Sequence, residues 1–204
     1  MVQNDRKIIA VGTSHGTSTG DDIAVARYTS TGQLDTTFGD RGKVSTDLGT
    51  QADHAHAVAL ESDGKVVVAG STHDPAQGDN FAIVRYTTDG KLDTGFGDSG
   101  KVSTDFGGKS DVANAVAIQP DSKIVAVGTS RGASTGDDFA VARYTSSGQL
   151  DATFGKAGTV STDLGSQSDR ADAVALQSDG KIVVAGVTSD PALGDNFAIV
   201  RYQG

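Results

Sequence analysis

The sequence predicts an all-β fold, a β-propeller-type array of four-stranded antiparallel blades. Three observations lead there: a strict internal repeat, four strand-like runs in each repeat, and glycine-rich turns in place of any helical period. The run KIIAVG at 7–12 returns as KVVVAG at 65–70, KIVAVG at 123–128 and KIVVAG at 181–186. Its lysines are 58 residues apart each time (65 − 7, 123 − 65, 181 − 123). A fixed period of this size, with no insertion, is what stacked supersecondary units leave in a sequence.

Each unit offers its strands in the same order. KVSTD at 43–47 is short and β-branched. AHAVAL at 55–60 alternates, with its alanines on one side and Val58 and Leu60 on the other. Asp63-Gly64 then supplies a tight turn, because glycine takes φ > 0 without steric penalty. KVVVAG at 65–70 is a continuous apolar run, as in a strand covered on both faces. NFAIVRY at 80–86 completes the set. Units are joined by LDTTFG at 34–39, LDTGFG at 92–97 and LDATFG at 150–155, whose Leu and Phe are expected to plug the seam between units.

Counted this way, residues 1–6 form a tail and 7–204 a single array: a half unit at 7–42, then units at 43–100, 101–158 and 159–204. That is about three and a half blades. A longer period of 116 is also present: TSHGTSTG at 13–20 matches TSRGASTG at 129–136, and STHDPAQG at 71–78 matches VTSDPALG at 187–194. A two-unit block has been duplicated. A β-solenoid is the alternative architecture, but its rungs are shorter and have no use for the Asp-Gly hairpin.

The FAVARY strand, the LDTxFGxxGKV link and the AVALQxDGKIVVAG hairpin, in this order, resemble the bacterial delta-60 repeat proteins over nearly all of residues 7–203. The resemblance implies a β-propeller and an extracellular or cell-surface setting in the parent protein. It implies no common enzymatic activity.

Composition agrees with many short strands and small turns: 36% hydrophobic residues, 27 glycines, no cysteine and no tryptophan. The net charge of −9 argues against binding a phosphate backbone, so no nucleic-acid partner is expected. No run approaches the ~18 apolar residues of a membrane span. The first residues of this chain, MVQNDR, lack the apolar region of a signal peptide.

Motifs for catalysis are weak. GTSHG at 12–16 and GTSRG at 128–132 spell a nucleophile elbow, yet that device needs a strand-to-helix turn. GFGDSGK at 95–101 resembles a P-loop but lacks the following Ser or Thr and the helix. His54 and His56 stand two apart on one strand face, without a visible third ligand. Asp21, Asp79, Asp137 and Asp195 recur in every copy and are candidate calcium ligands, as acidic loop residues can be. Short Asp side chains capping turns are the plainer reading. Arg27, Arg85, Arg143 and Arg201 recur inside an apolar strand; a buried arginine requires a partner, so one Arg–Asp pair per blade is expected.

An active site needs one asymmetric set of groups, whereas residues present in every unit serve the unit's fold. No catalytic residue and no cofactor are therefore assigned. The expected function is a non-enzymatic scaffold or binding module that self-associates as a homo-oligomer through its incomplete blade. An extracellular adhesion or carbohydrate-binding module, calcium-dependent, is the alternative, with protein or glycan ligands at the variable loops 13–20, 71–78, 129–136 and 187–194. A propeller hydrolase is the third reading.

Overall fold

The computed structural model describes residues 1–16, 20–49, 52–132, 136–165, 168–192 and 194–204. Fourteen strands are arranged as four antiparallel blades in chain order. The first blade is β1 (Ile8–Gly16), β2 (Gly20–Tyr28) and β3 (Lys43–Thr46). The second is β4 (Asp53–Leu60), β5 (Val66–Asp74), β6 (Gly78–Tyr86) and β7 (Lys101–Thr104). The third is β8 (Asp111–Ile118), β9 (Ile124–Gly132), β10 (Gly136–Tyr144) and β11 (Thr159–Thr162). The fourth holds β12 (Ser168–Leu176), β13 (Ile182–Asp190) and β14 (Gly194–Tyr202).

The phase of the blades differs from the sequence units. The short strand was expected to open each unit beside the alanine-rich strand. Instead β3 pairs with β2 of the blade before it, in register Ile23↔Thr46 to Ala26↔Lys43, and β7 pairs with β6 in the same way. The link is the cause. Its turns, closed by Gly32 N–H to Thr29 O (3.0 Å) and Phe38 N–H to Asp35 O (3.0 Å), fold the chain back along the strand it has just left. The next blade is entered at Ala52, marked by its parallel bridge to Asp21. The same fourteen strands thus make two complete blades flanked by two of three strands. Among the described residues, the first blade holds no strand equivalent to β4 and the fourth none equivalent to β3.

The segments 13–20 and 71–78, expected as loops, are largely strand. Pairing of β1 with β2 continues to Gly16↔Gly20, and of β5 with β6 to Asp74↔Gly78. Serine, threonine and histidine there sit on a paired backbone, leaving only hairpin tips unpaired. Residues 17–19, 133–135 and 193 of these segments lie outside the described residues.

One core cluster fills each seam between blades. Ile9, Ile23, Val25 and Phe38 of the first blade meet Val66, Val68, Val84 and Tyr86 of the second. Phe81, Ile83 and Phe96 meet Ile124, Ala126, Ala140, Ala142 and Tyr144 at the next seam. Phe139, Val141 and Phe154 meet Ile182, Val184 and Ala198 at the last. Small alanines on the receiving faces let blades approach while Phe and Ile fill the gap. The link Phe is the plug, with Phe38 and Phe96 fully buried. The link Leu is less uniform: it bridges to the strand-end tyrosine, Leu92 packs against the first seam's cluster, and Leu150 stays 38% exposed.

Hairpin chemistry is uneven between units. Gly64 and Gly180 hold φ of 87° and 86° in the turn before β5 and β13, whereas Ser122 holds φ 65° in the equivalent turn. A non-glycine residue in this left-handed region costs on the order of 1 kcal/mol. Ser122→Gly is expected to raise stability by about that amount, read as an upward shift in the denaturant midpoint at unchanged m. No shift or a downward one would mean that the serine is not strained.

Candidate functional site

Three recurring constellations carry the polar chemistry of the molecule, and two exposed faces carry its unpaired apolar surface.

The first constellation is the arginine node. Arg27 Nε donates to Asp35 Oδ2 at 2.8 Å, Arg85 to Asp93 at 2.9 Å and Arg143 to Asp151 at 2.9 Å. Each guanidinium also lies over the link phenylalanine, 4.4–4.6 Å from the ring centroid. Arg27 Nη1 reaches across the seam to Thr88 O (2.6 Å), and Arg85 Nη1 to Ser146 O (2.6 Å). The Thr37 hydroxyl, then its amide, Lys7 and Arg27, hold the Asp35 carboxyl well below the usual range against the opposing effect of burial. Arg201, at the equivalent position of the fourth blade, is exposed. The arginine is therefore a tie between strand, link and neighbouring blade.

The second constellation contains the four aspartates that recur as calcium candidates. Each is engaged across its own hairpin. Asp21 faces His15 (2.7 Å), Asp79 faces His73 (2.8 Å), Asp137 faces Arg131 (2.6 Å) and Asp195 faces Ser189 (2.6 Å). These partners are dictated by the strand register His15↔Asp21 and its equivalents.

The third constellation was not singled out from sequence. Asp22, Asp47 and Asp53 bring carboxylate oxygens within 4.8 Å of one another, as do Asp138, Asp163 and Asp169. Asp22 lies on β2, Asp47 directly after β3, and Asp53 opens β4 of the next blade. Each trio therefore spans a seam. The middle seam has Asn80, Asp105 and Asp111 at the same repeat positions (22 + 58, 47 + 58, 53 + 58). The signal in the sequence was the alternation Asp22, Asn80, Asp138, Asn196, which keeps an oxygen in place while varying charge. His54 and His56 have ring centroids 6.3 Å apart, and neither belongs to a cluster of three ligating groups among the described residues.

The apolar faces lie at the two ends of the array. On the fourth blade Phe197 is 75% and Ile199 61% exposed. On the first blade Ile8 and Ala10 are exposed, Ala24, Ala26 and Tyr28 half-exposed, and a groove of about 430 Å³ runs along Ala10, Gly12, Ala24 and Ala26. No core cluster among the described residues joins the fourth blade to the first. Nor is any helix of the described residues long and apolar enough to cross a membrane.

With this geometry in hand, comparison with known proteins places the fold. A family model described as "Domain of unknown function (DUF5122) beta-propeller" matches residues 3–38, 61–96, 119–154 and 177–203. The chain belongs to this propeller family. Each match begins 58 residues after the last (61 − 3, 119 − 61, 177 − 119), and each takes in one β-hairpin of a blade, the first three adding the link that follows it. Among solved structures, the chain is similar to a GH43 endo-arabinanase from Bacillus licheniformis, at 14% identity and TM-score 0.50, over 98% of this chain and 71% of that one. At that identity the likeness concerns the path of the backbone alone. No curated protein matches the sequence.

Proposed function

We propose that this propeller module is a non-enzymatic scaffold that assembles with further copies of itself, head to tail, through its two incomplete end blades. One observation carries the reading. The exposed apolar residues at the two ends repeat residues that face each other across a seam already buried inside the chain. Phe197 and Ile199 repeat Phe81 and Ile83 at a distance of 116 (197 − 81, 199 − 83). Ile8, Ala10, Ala24, Ala26 and Tyr28 repeat Ile124, Ala126, Ala140, Ala142 and Tyr144 at the same distance. Phe81 and Ile83 pack against those five residues in the core between the second and third blades. A fourth blade of one copy is thus built to receive the first blade of another.

Such a contact is heterologous, since two different faces meet, and it closes into a ring or runs on as a filament. Repeat arrays need their terminal apolar faces covered. The engaged arginines and hairpin aspartates agree with a structural use of the repeated charges. The delta-60 resemblance supports a surface-exposed bacterial setting for the assembly.

Light scattering behind size exclusion tests this. Wild type is expected to run as an assembly of more than one chain, a ring of discrete mass or a longer filament. Phe197→Asp and Ala26→Asp, each blocking one face, are expected to be monomers alone and a 1:1 dimer when mixed. A monomeric wild type, or a Phe197→Asp variant that still self-associates, would overturn the proposal.

A further inference from the structure

We propose that the seams between successive blades are calcium sites, formed at 22/47/53, 80/105/111 and 138/163/169. This goes beyond the assembly reading and does not depend on it.

The donors are all oxygens. Ligand atoms held 2.3–2.6 Å from one calcium ion lie no more than about 5 Å from each other. The carboxylates of Asp22, Asp47 and Asp53, and of Asp138, Asp163 and Asp169, meet that limit at 4.8 Å. Asp53 and Asp169 are 0% exposed, and Asp22 and Asp138 7%. Converging carboxylates in a buried place repel one another strongly unless a cation or protons compensate them. Backbone amides supply part of the compensation: Leu48 N–H donates to Asp53 Oδ2 and Leu164 N–H to Asp169 Oδ2, both at 2.7 Å. Ser45 and Ser161 hydroxyls reach Asp22 and Asp138 at 3.2 and 3.3 Å.

The middle seam supplies an independent observation. There Asp111 is 0% and Asn80 4% exposed, and the Oδ1 atom of each is buried without a hydrogen-bond partner. The other oxygen of Asp111 accepts the Phe106 amide at 2.8 Å. The Asp105 carboxylate neighbours the buried Asp111 carboxyl. Two orphaned acceptor oxygens beside a like charge want a positive centre. Asn80, in the slot of Asp22, keeps the carbonyl donor while removing one charge, a substitution that calcium accepts and a proton-sharing carboxylate pair does not need. Because the three ligands come from the last two strands of one blade and the start of the next, the ion clasps adjacent blades. Soft thiolate or imidazole ligands are absent from all three trios, which excludes a zinc-type site there.

The test uses the full chain after exhaustive EDTA dialysis, with calcium chloride as the probe and magnesium chloride as control. The Phe197→Asp variant is measured in parallel, so that assembly and metal binding are read separately. Calcium is expected to release or absorb heat in titration calorimetry and to raise the melting temperature in both proteins, with magnesium far weaker. Asp47→Asn with Asp163→Asn retains the turn acceptors for Gly49 and Gly165. This double variant is expected to lose most of the calcium-induced shift. In EDTA it melts at or above the wild-type temperature, because repulsion is relieved. No calcium heat and no shift at millimolar calcium would overturn the proposal. So would a calcium shift undiminished in the double variant, which would place the ion elsewhere.

Discussion

Phe96→Ala is expected to destabilise the protein by about 3–5 kcal/mol, the range for emptying a fully buried aromatic site. Phe96 is 0% exposed and sits in the cluster that joins the second and third blades. Its ring is also the platform for the Arg85 guanidinium, 4.4 Å from the centroid, so truncation removes packing and a cation–π contact together. The site cannot collapse easily. Gly148, at φ 84°, already passes so close that an added Cβ would lie 2.9 Å from the Phe96 ring and 2.8 Å from Gly97 N. The neighbouring turn is therefore backbone with little freedom to move inward, and the cavity persists. Thermal unfolding should show a fall on the order of 10 °C for a chain of this size. Phe197→Ala makes the control: its side chain is 75% exposed in the single chain, so it should leave monomer stability near wild type while weakening assembly. Equal losses in the two variants would refute the idea that link phenylalanines carry the seams.

Much of this architecture was legible because the repeat states each choice several times. Period-2 alternation in 55–60, the unbroken apolar run in 65–70 and the Asp-Gly turn between them fixed two neighbouring strands and their hairpin. The arginine in an apolar strand implied a partner, and the link aspartate is that partner. The phase of the blades was not legible. Four residues, KVST, carry alternation but no statement of which strand they lie beside. The partner is chosen by turns in the link, closed by backbone hydrogen bonds that no side-chain pattern advertises.

The acidic seams illustrate a second limit. Asp21 and Asp22 are adjacent, and successive strand residues point to opposite faces. The invariant one, Asp21, meets His15 at the hairpin surface, while the variable one, Asp22, turns into the seam toward Asp47 and Asp53. Invariance among repeats draws attention to Asp21, whereas convergence of positions 22, 47 and 53 is a tertiary fact spanning two blades. The identity of the two end faces with an internal seam could have been read from the 116-residue period. What the sequence lacked was the knowledge that Phe81 and Ile83 face Ala126 and Tyr144 at all.

Arg27→Ala is expected to cost about 3–5 kcal/mol, the range for removing one partner of a buried ion pair. The loss exceeds that of a surface salt bridge because both side chains are only 7% exposed. Three bonds disappear with the guanidinium: to Asp35 Oδ2, to Thr37 Oγ1 and, across the seam, to Thr88 O. Asp35 is then left buried with Lys7, at 3.2 Å, as its remaining cation. Arg201→Ala, at the equivalent but exposed position, should change stability little. The pH dependence has a definite sign. A carboxyl held below its unfolded value contributes stability above about pH 4, and loses it as pH falls through the folded value. Asp35 is such a group, held down chiefly by the Thr37 hydroxyl. The gap between wild type and Arg27→Ala should therefore be full near neutrality and narrow in acid, where protonation relieves the stranded carboxylate. Adding Asp35→Asn to Arg27→Ala should recover part of the loss, giving a double-mutant cycle whose coupling is favourable. Losses that simply add, or an Arg201→Ala variant as damaged as Arg27→Ala, would show that the arginine acts through its own packing and not as the tie between blade, link and neighbour.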